Sequence, residues 1–196
     1  MFGAPSINEV LKVAGHELKF EIAPGSFFQP NTLQAQKLYE IALDFAGLCG
    51  DEIVYDLYCG TGTISLVCSI NAKMVYGIEI AESSVLNARA SAENNGISNV
   101  EFINGDVAEA VSQISEKPDV VILDPPRNGL LPPAIKQVCA ISPPKIVYIS
   151  CNPTTLARDL KIFKVAGYEL EKIQPADMFP NTYHIESVAL LKKLRN

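Results

Sequence analysis

Four features of this chain combine a reactive side chain with a position that could put it to use. Cys151 lies in Ile149-Ser150-Cys151-Asn152-Pro153, between a strand-like run and a helix start. A thiolate is stabilised at such a place and can act as a nucleophile. A buried structural thiol is the other reading, and it is the one that fits Cys49, Cys59, Cys68 and Cys139. Glu186 sits inside the run Ile185 to Leu191, where period two groups it with Val188 and Leu190 and not with Ile185 and Ala189. A carboxylate among apolar neighbours has a raised pKa, as a general base working near neutral pH needs. A solvated charge on an edge strand is the plainer alternative.

The third feature is Asp56-Leu57-Tyr58-Cys59-Gly60-Thr61-Gly62-Thr63, which ends a strand-like run and opens a helix. Gly60 and Gly62 would let the backbone approach a ligand at the helix N-terminus, although a lone G-x-G also describes a plain tight turn. Glu79 ends the next strand-like run 19 residues after Gly60, where a carboxylate can accept both hydroxyls of an adenosine ribose. Ser65 stands where a dinucleotide fingerprint wants a third glycine, so S-adenosylmethionine, which has no pyrophosphate, is the better cofactor expectation. Asp106, after the third strand of the series, either bonds the adenine amino group or caps the helix that begins at Val107.

The fourth is Asp124-Pro125-Pro126-Arg127, in which two prolines after an acid fix an extended, donor-poor loop. Methyltransferases of exocyclic amino groups end a similar loop in an aromatic residue that stacks on the base. Arg127 occupies that place here, which points away from amino-group methylation. Carbon 5 of a pyrimidine is too weak a nucleophile to attack a sulfonium methyl unaided. A thiolate must first add to carbon 6, and after methyl transfer a base must remove the carbon 5 proton. That reaction needs a cofactor pocket, a cysteine and a base, and the chain offers a candidate for each.

The elements that must position these residues follow from the hydrophobic pattern. Five β-branched runs, Ile53 to Leu57, Met74 to Ile78, Val100 to Ile103, Val120 to Leu123 and Ile146 to Ile149, lack alternation, as strands covered on both faces do. Amphipathic segments around 63–70, 82–95, 107–115, 131–141 and 153–165 alternate with them. The pattern predicts an α/β fold with a mostly parallel, doubly wound, Rossmann-like sheet. Tyr168 to Gln174 and Ile185 to Leu191 have no helix between them and predict an antiparallel C-terminal pair, for seven strands in all. Ahead of this lie a hairpin over 2–24, turning at Ala14-Gly15-His16 and closed by Pro24-Gly25, and a helix capped by Asn31 that ends at Gly47.

Composition bounds the setting. The chain has 196 residues, 48% of them hydrophobic and 19% charged, which is globular and sufficient for one core. No run approaches the length of a membrane span, no basic-then-apolar leader opens the chain, and a soluble cytoplasmic protein is expected. Five cysteines without framework spacing, no C-x-x-C and only His16 and His184 predict neither a disulfide scaffold nor a metal site. The net charge of −6 argues mildly against a general grip on nucleic acid.

Taken together, Phe27-Phe28-Gln29-Pro30-Asn31, the Asp56 to Thr63 motif, Asp124 to Arg127, Ser150-Cys151-Asn152-Pro153 with Leu156-Ala157-Arg158-Asp159, and Asp177-Met178-Phe179-Pro180 through His184-Ile185-Glu186 resemble the RNA uracil-C5 methyltransferase family. That family includes tRNA (uracil-5-)-methyltransferases and 23S ribosomal RNA 5-methyluridine enzymes. The resemblance implies an S-adenosylmethionine-dependent methyltransferase fold, with Cys151 as nucleophile and Glu186 as proton acceptor. It further implies that Gln29, Tyr58, Glu79 and Asp124 contact the cofactor or the target uracil, with Thr63 and Asp106 as lesser members of that set beside the cofactor-approach glycines Gly60 and Gly62 read from the residues above. Arg127, with Gln29 and Asp124, would face the base. Gln29 owes its place to the resemblance, since a polar loop residue before the Asn31 cap is what the residues alone suggest.

Two departures from the family pattern bear on RNA. Asn128 stands where a basic residue often follows Asp-Pro-Pro-Arg, a change that touches a phosphate contact and not the chemistry. Family members often carry N-terminal RNA-binding and central domains, some with an iron–sulfur cluster; no cluster is expected in this chain. On this reading 1–24 is the remnant of a preceding central domain and 25–196 the catalytic domain, a monomer that acts on tRNA or 23S rRNA. Its acidity then describes the part that holds cofactor and one base, and weak RNA affinity of this domain alone is expected. Two rivals remain: a cofactor-binding domain that is silent without its RNA-binding partners, and an RNA cytosine-C5 methyltransferase. The latter enzymes generally place a second cysteine in the loop that here holds Asp124.

Overall fold

In the computed structural model, which describes residues 6–22 and 27–194, two strands precede an alternating α/β body. Strands β1 (Ile7–Val13) and β2 (His16–Ile22) form a two-stranded antiparallel sheet. Their two-residue turn places both Ala14 and Gly15 at positive φ, as tight hairpins require. The ends of the expected hairpin at 2–5 and at Pro24-Gly25 lie outside the described residues. Helix α1 (Thr32–Ala46) starts where Asn31 accepts a hydrogen bond from the Gln34 amide at 3.3 Å, as its sequence predicts.

Five strand–helix units follow: β3 (Ile53–Leu57) with α2 (Thr63–Ser69), β4 (Met74–Glu79) with α3 (Glu82–Asn94), β5 (Val100–Asn104) with α4 (Val107–Val111), β6 (Val120–Leu123) with α5 (Pro132–Ile141), and β7 (Lys145–Ser150) with α6 (Pro153–Val165). Helix α4 is shorter than the expected 107–115. Strands β8 (Tyr168–Ala176) and β9 (Glu186–Lys193) complete a seven-stranded sheet of order β5-β4-β3-β6-β7-β9-β8. β9 inserts between β7 and β8 and is antiparallel to both, while the strands from β5 across to β7 run parallel. The fold class expected from the hydrophobic pattern is the one found. β5 departs from the unbroken burial expected of it because it is an edge strand: Phe102 is buried while Glu101 and Asn104 face solvent.

Period two divides each central strand between two cores. Val54, Val75, Val120, Ile122, Val147, Ile149, Val188 and Leu190 pack under α1, α2 and α3, and the inner face of the β1–β2 hairpin (Leu11, Val13, Leu18, Phe20) joins that same cluster. Tyr55, Leu57, Ile78, Val121, Leu123, Tyr148, Ala189 and Leu191 pack on the other side under α4, α5 and α6. The strand order reverses between β3 and β6, since the chain moves outward to β4 and β5 and then returns to the far side of β3. In open α/β sheets the ligand crevice lies outside the carboxyl ends of the strands at such a reversal. No helix among the described residues is long and apolar enough to cross a membrane.

Candidate active site

The parity that sorts the core also gathers the chemistry. Asp56 follows Val54, Asp124 follows Val120 and Ile122, Cys151 follows Val147 and Ile149, and Glu186 precedes Val188, so all four continue rows on the α1–α3 face. The antiparallel insertion of β9 matters most. Its first residues lie beside the last residues of β7, with Ser187 opposite Ser150, which sets Glu186 at the same sheet edge as Cys151. A cavity of about 730 Å³ opens at that edge. Gln29, Tyr58, Gly60, Thr63, Glu79, Asp124, Arg127, Cys151 and Glu186 all line it.

Two sequence candidates do not. Asp106 is the N-cap of α4, accepting from the Ala108 amide at 2.9 Å, so of its two readings the structure favours the cap, although it stands near enough to Tyr58 to help raise that phenol's pKa after burial. Gly62 caps α2 with φ of 77°. A Cβ there would come within 2.6 Å of Phe102 Cζ and 2.8 Å of Ala88 Cβ, so helix–strand packing by itself requires a glycine here.

Glu79 is anchored from both sides of the crevice: Oε2 accepts from the Gly60 amide at 3.1 Å and Oε1 from the Ala81 amide at 2.8 Å. Each oxygen keeps a second lone pair, the acceptor set a ribose diol needs. Tyr58, next to it, is held at φ of 68°, a conformation that costs a non-glycine residue about 1–3 kcal/mol and that clusters at ligand sites. The segment 27–30 closes the cavity opposite, where Thr61 Oγ1 donates to the Phe27 carbonyl at 3.5 Å and Asn31 Nδ2 to the Met178 carbonyl at 2.9 Å. Phe27 and Ile80, each 73% exposed, present apolar surface at its rim. These features suit an adenosine: a diol acceptor, apolar flanks for a base and sufficient volume.

The reactive end is electrostatically crowded. Burial, then the charges of Glu186 and Asp56, push the Asp124 carboxyl up to about 8, and no hydrogen bond to it is present among the described residues. Burial raises Glu186, as its apolar neighbours predict. For Cys151 the expectation fails in direction. Its thiol is raised, by burial first and then by Glu186 and Asp124, while Arg127 pulls weakly the other way. Burial, with the neighbouring Glu186 and Asp124, outweighs the start of α6, and the thiol is raised above its ordinary value.

The loop that carries Asp124 and Arg127 is fastened to the helix that follows Cys151. Asn152, the N-cap of α6, accepts from the Thr154 amide at 3.0 Å and donates through Nδ2 to the Arg127 carbonyl at 3.3 Å. Farther along α6, wholly buried Asp159 accepts from the Leu130 amide at 2.8 Å, the Tyr148 hydroxyl at 2.7 Å and Arg158 Nε at 2.8 Å. Arg158 Nη2 donates to the carbonyls of Asn128 and Leu130. Gly129, with φ of 69°, passes so near that a Cβ would stand 2.6 Å from Asp159 Oδ2. In the sequence, Arg158 and Asp159 carry no assigned role beyond their place in the Leu156 to Asp159 motif. The signal was present: Leu156, Asp159 and Phe163 form the buried stripe of α6, and a carboxylate on an apolar stripe needs partners.

Sequence comparison gives the same family as the site. The tRNA (uracil-5-)-methyltransferase family description matches residues 1–194. An uncharacterized RNA methyltransferase of Clostridium acetobutylicum is 50% identical over 181 residues, 91% of this chain and 39% of the relative. One of Protochlamydia amoebophila is 47% identical over 95% of this chain and 42% of its own length. The crystal structure of the Pyrococcus abyssi tRNA (uracil-54, C5)-methyltransferase in complex with S-adenosyl-L-homocysteine superposes with a TM-score of 0.80 at 36% identity, covering 97% of this chain and 45% of that one. This chain thus spans less than half the length of each of these proteins, and its sheet is that of S-adenosylmethionine-dependent methyltransferases. The chain belongs to the tRNA (uracil-5-)-methyltransferase family.

Proposed function

We propose that this chain is the catalytic portion of an RNA methyltransferase that moves a methyl group from S-adenosylmethionine to carbon 5 of a uridine in tRNA or 23S rRNA. The observation that carries the reading is the meeting of Cys151, Glu186 and Asp124 in one cavity whose other end holds Glu79 and Tyr58. S-adenosylmethionine, when bound, supplies an electrophilic methyl on a sulfonium. Glu79 accepts hydrogen bonds from the ribose hydroxyls and fixes the depth of the cofactor. Gln29, Asp124 and Arg127 orient the uracil ring against Cys151.

Cys151 Sγ, its proton released to solvent, adds to carbon 6, and the electron pair displaced towards carbon 5 makes that carbon the nucleophile that takes the methyl, with S-adenosylhomocysteine as the leaving thioether. Glu186 then takes the carbon 5 proton, and the returning electron pair expels Sγ from carbon 6, restoring thiolate and double bond. A raised carboxyl at Glu186 suits the acceptor, because it holds the proton more firmly than a solvated glutamate would. The uridine must leave its stack to reach the cavity, so unpaired loop uridines are the expected targets.

The test is RNA carrying 5-fluorouracil, which offers no removable proton at carbon 5. With S-adenosylmethionine it should trap a covalent protein–RNA adduct that Cys151→Ala abolishes. An adduct that survives that substitution refutes the assigned nucleophile. Cofactor binding without adduct on either tRNA or rRNA fragments means that the chain is silent by itself.

A further inference from the structure

The loop that leads into β9 carries aromatic side chains that the cavity does not use up. Phe179 lines the cavity, and the His184 ring stands edge-on to it at a centroid distance of 6.4 Å. Tyr183 lies 4.2 Å from His184, its plane tilted by 42°. These three rings make a row from the cavity wall outward, and the last of them is 84% exposed. Arg127, also on the cavity wall, places Nη2 3.2 Å from His184 Nδ1. A guanidinium only donates, so Nδ1 accepts and the imidazole is held in one orientation behind Tyr183. No acidic residue occurs from Asn181 to Ile185, in a chain whose net charge is −6.

Neither packing nor hydrogen bonding accounts for Tyr183. Its ring touches only His184 among the described aromatic groups, and no hydrogen bond holds its hydroxyl among the described residues. We propose that Tyr183, backed by His184 and Arg127, is a stacking platform for the unpaired RNA base next to the uridine that enters the cavity. This rests on the uridine reading given above. A base drawn out of its stack bares the face of its neighbour, and aromatic, imidazole and guanidinium planes are the surfaces that take up such faces in single-stranded RNA. Stacking tolerates any base, so the platform adds affinity without choosing sequence. Its contribution is also insensitive to salt, unlike phosphate contacts.

The experiment compares the wild-type chain with Tyr183→Ala and Tyr183→Phe, using a stem-loop RNA whose single loop uridine is flanked by 2-aminopurine. Stacking on the platform changes 2-aminopurine emission on binding in the wild type and in Tyr183→Phe. In Tyr183→Ala the change is lost and the RNA Kd rises about fivefold to tenfold. The salt dependence of the Kd and the affinity for S-adenosylhomocysteine stay as in the wild type. An emission change that survives Tyr183→Ala, or an unchanged Kd, overturns the platform and leaves the exposed ring to a protein partner. The two readings separate cleanly. A wild type that shows the emission change yet traps no 5-fluorouracil adduct removes the methyl-transfer reading alone, whereas adduct formation indifferent to Tyr183 removes only the platform.

Discussion

Asp56 should make this chain less stable as the pH rises from about 4 to about 7, and Asp56→Asn should remove the effect. The carboxyl is wholly buried between the end of β3 and α2; Ser65 Oγ donates to Oδ2 at 2.6 Å, while Oδ1 has no partner among the described residues. Burial pushes its pKa from 3.8 up to about 7, against the lowering hydrogen bond from Ser65. In the unfolded chain the group ionises near 3.8, so between that pH and about 7 the folded state binds the extra proton. Stability from this source is therefore complete below the unfolded value and is lost as pH rises to the folded one. About three pH units at 1.36 kcal/mol each give about 4 kcal/mol. An asparagine keeps the acceptor for Ser65 and the shape, and it carries no charge to bury. Urea unfolding of both proteins at several pH values reads the difference. The curves should nearly coincide at pH 4 and separate to about 4 kcal/mol above pH 7, or roughly 8–16 °C in Tm for a chain of this size. Parallel curves across that range would falsify the reasoning.

Asp159→Ala strips the Leu130 amide, the Tyr148 hydroxyl and the Arg158 guanidinium of a common partner. Leaving the buried Leu130 amide and Tyr148 hydroxyl without their acceptor should cost about 2–6 kcal/mol and lower Tm by roughly 4–24 °C, with faster hydrogen exchange at Leu130; a change of less than about 2 °C would show that the loop carries its own rigidity. For Cys151, raised by burial and then by Glu186 and Asp124, iodoacetamide labelling followed by peptide mass spectrometry should be slow at neutral pH and quicken as pH rises, because only the thiolate reacts. Glu186→Gln should speed that labelling at pH 8.5, and an unchanged rate would remove Glu186 as a cause of the raised thiol.

The body of the fold could be read in the sequence because its signals are local. Five apolar runs alternating with amphipathic segments specify parallel strands and covering helices, and the Asn31 cap is contained in four consecutive residues. Glu79 was legible too, since strand end, turn and acid stand within one βαβ unit. Where the expectation failed, the cause is non-local. The packing demand on Gly62 is likewise non-local, because Phe102 and Ala88, distant in sequence, fill the space beside it. The direction of the Cys151 shift follows from burial first and then from Glu186 and Asp124, which come from other parts of the sheet, and a helix start judged alone has the opposite sign. The role of Asp159 and Arg158 depends on the loop after β6, which lies across them and belongs to a distant part of the chain.

By itself the sequence determined the alternating α/β framework, the side-chain parity of each strand and the residue types able to add to a pyrimidine and to take its proton. Parity is a property of single strands and needs no partner to be counted. The tertiary structure alone decided strand order, and with it the insertion of β9 between β7 and β8 against the direction of both. That reversal sets the beginning of one strand beside the end of another, so that Cys151 and Glu186, 35 positions apart in the chain, share a cavity. Pairing of distant strands is settled by which faces must be buried together, a condition of the whole core that no stretch of sequence states.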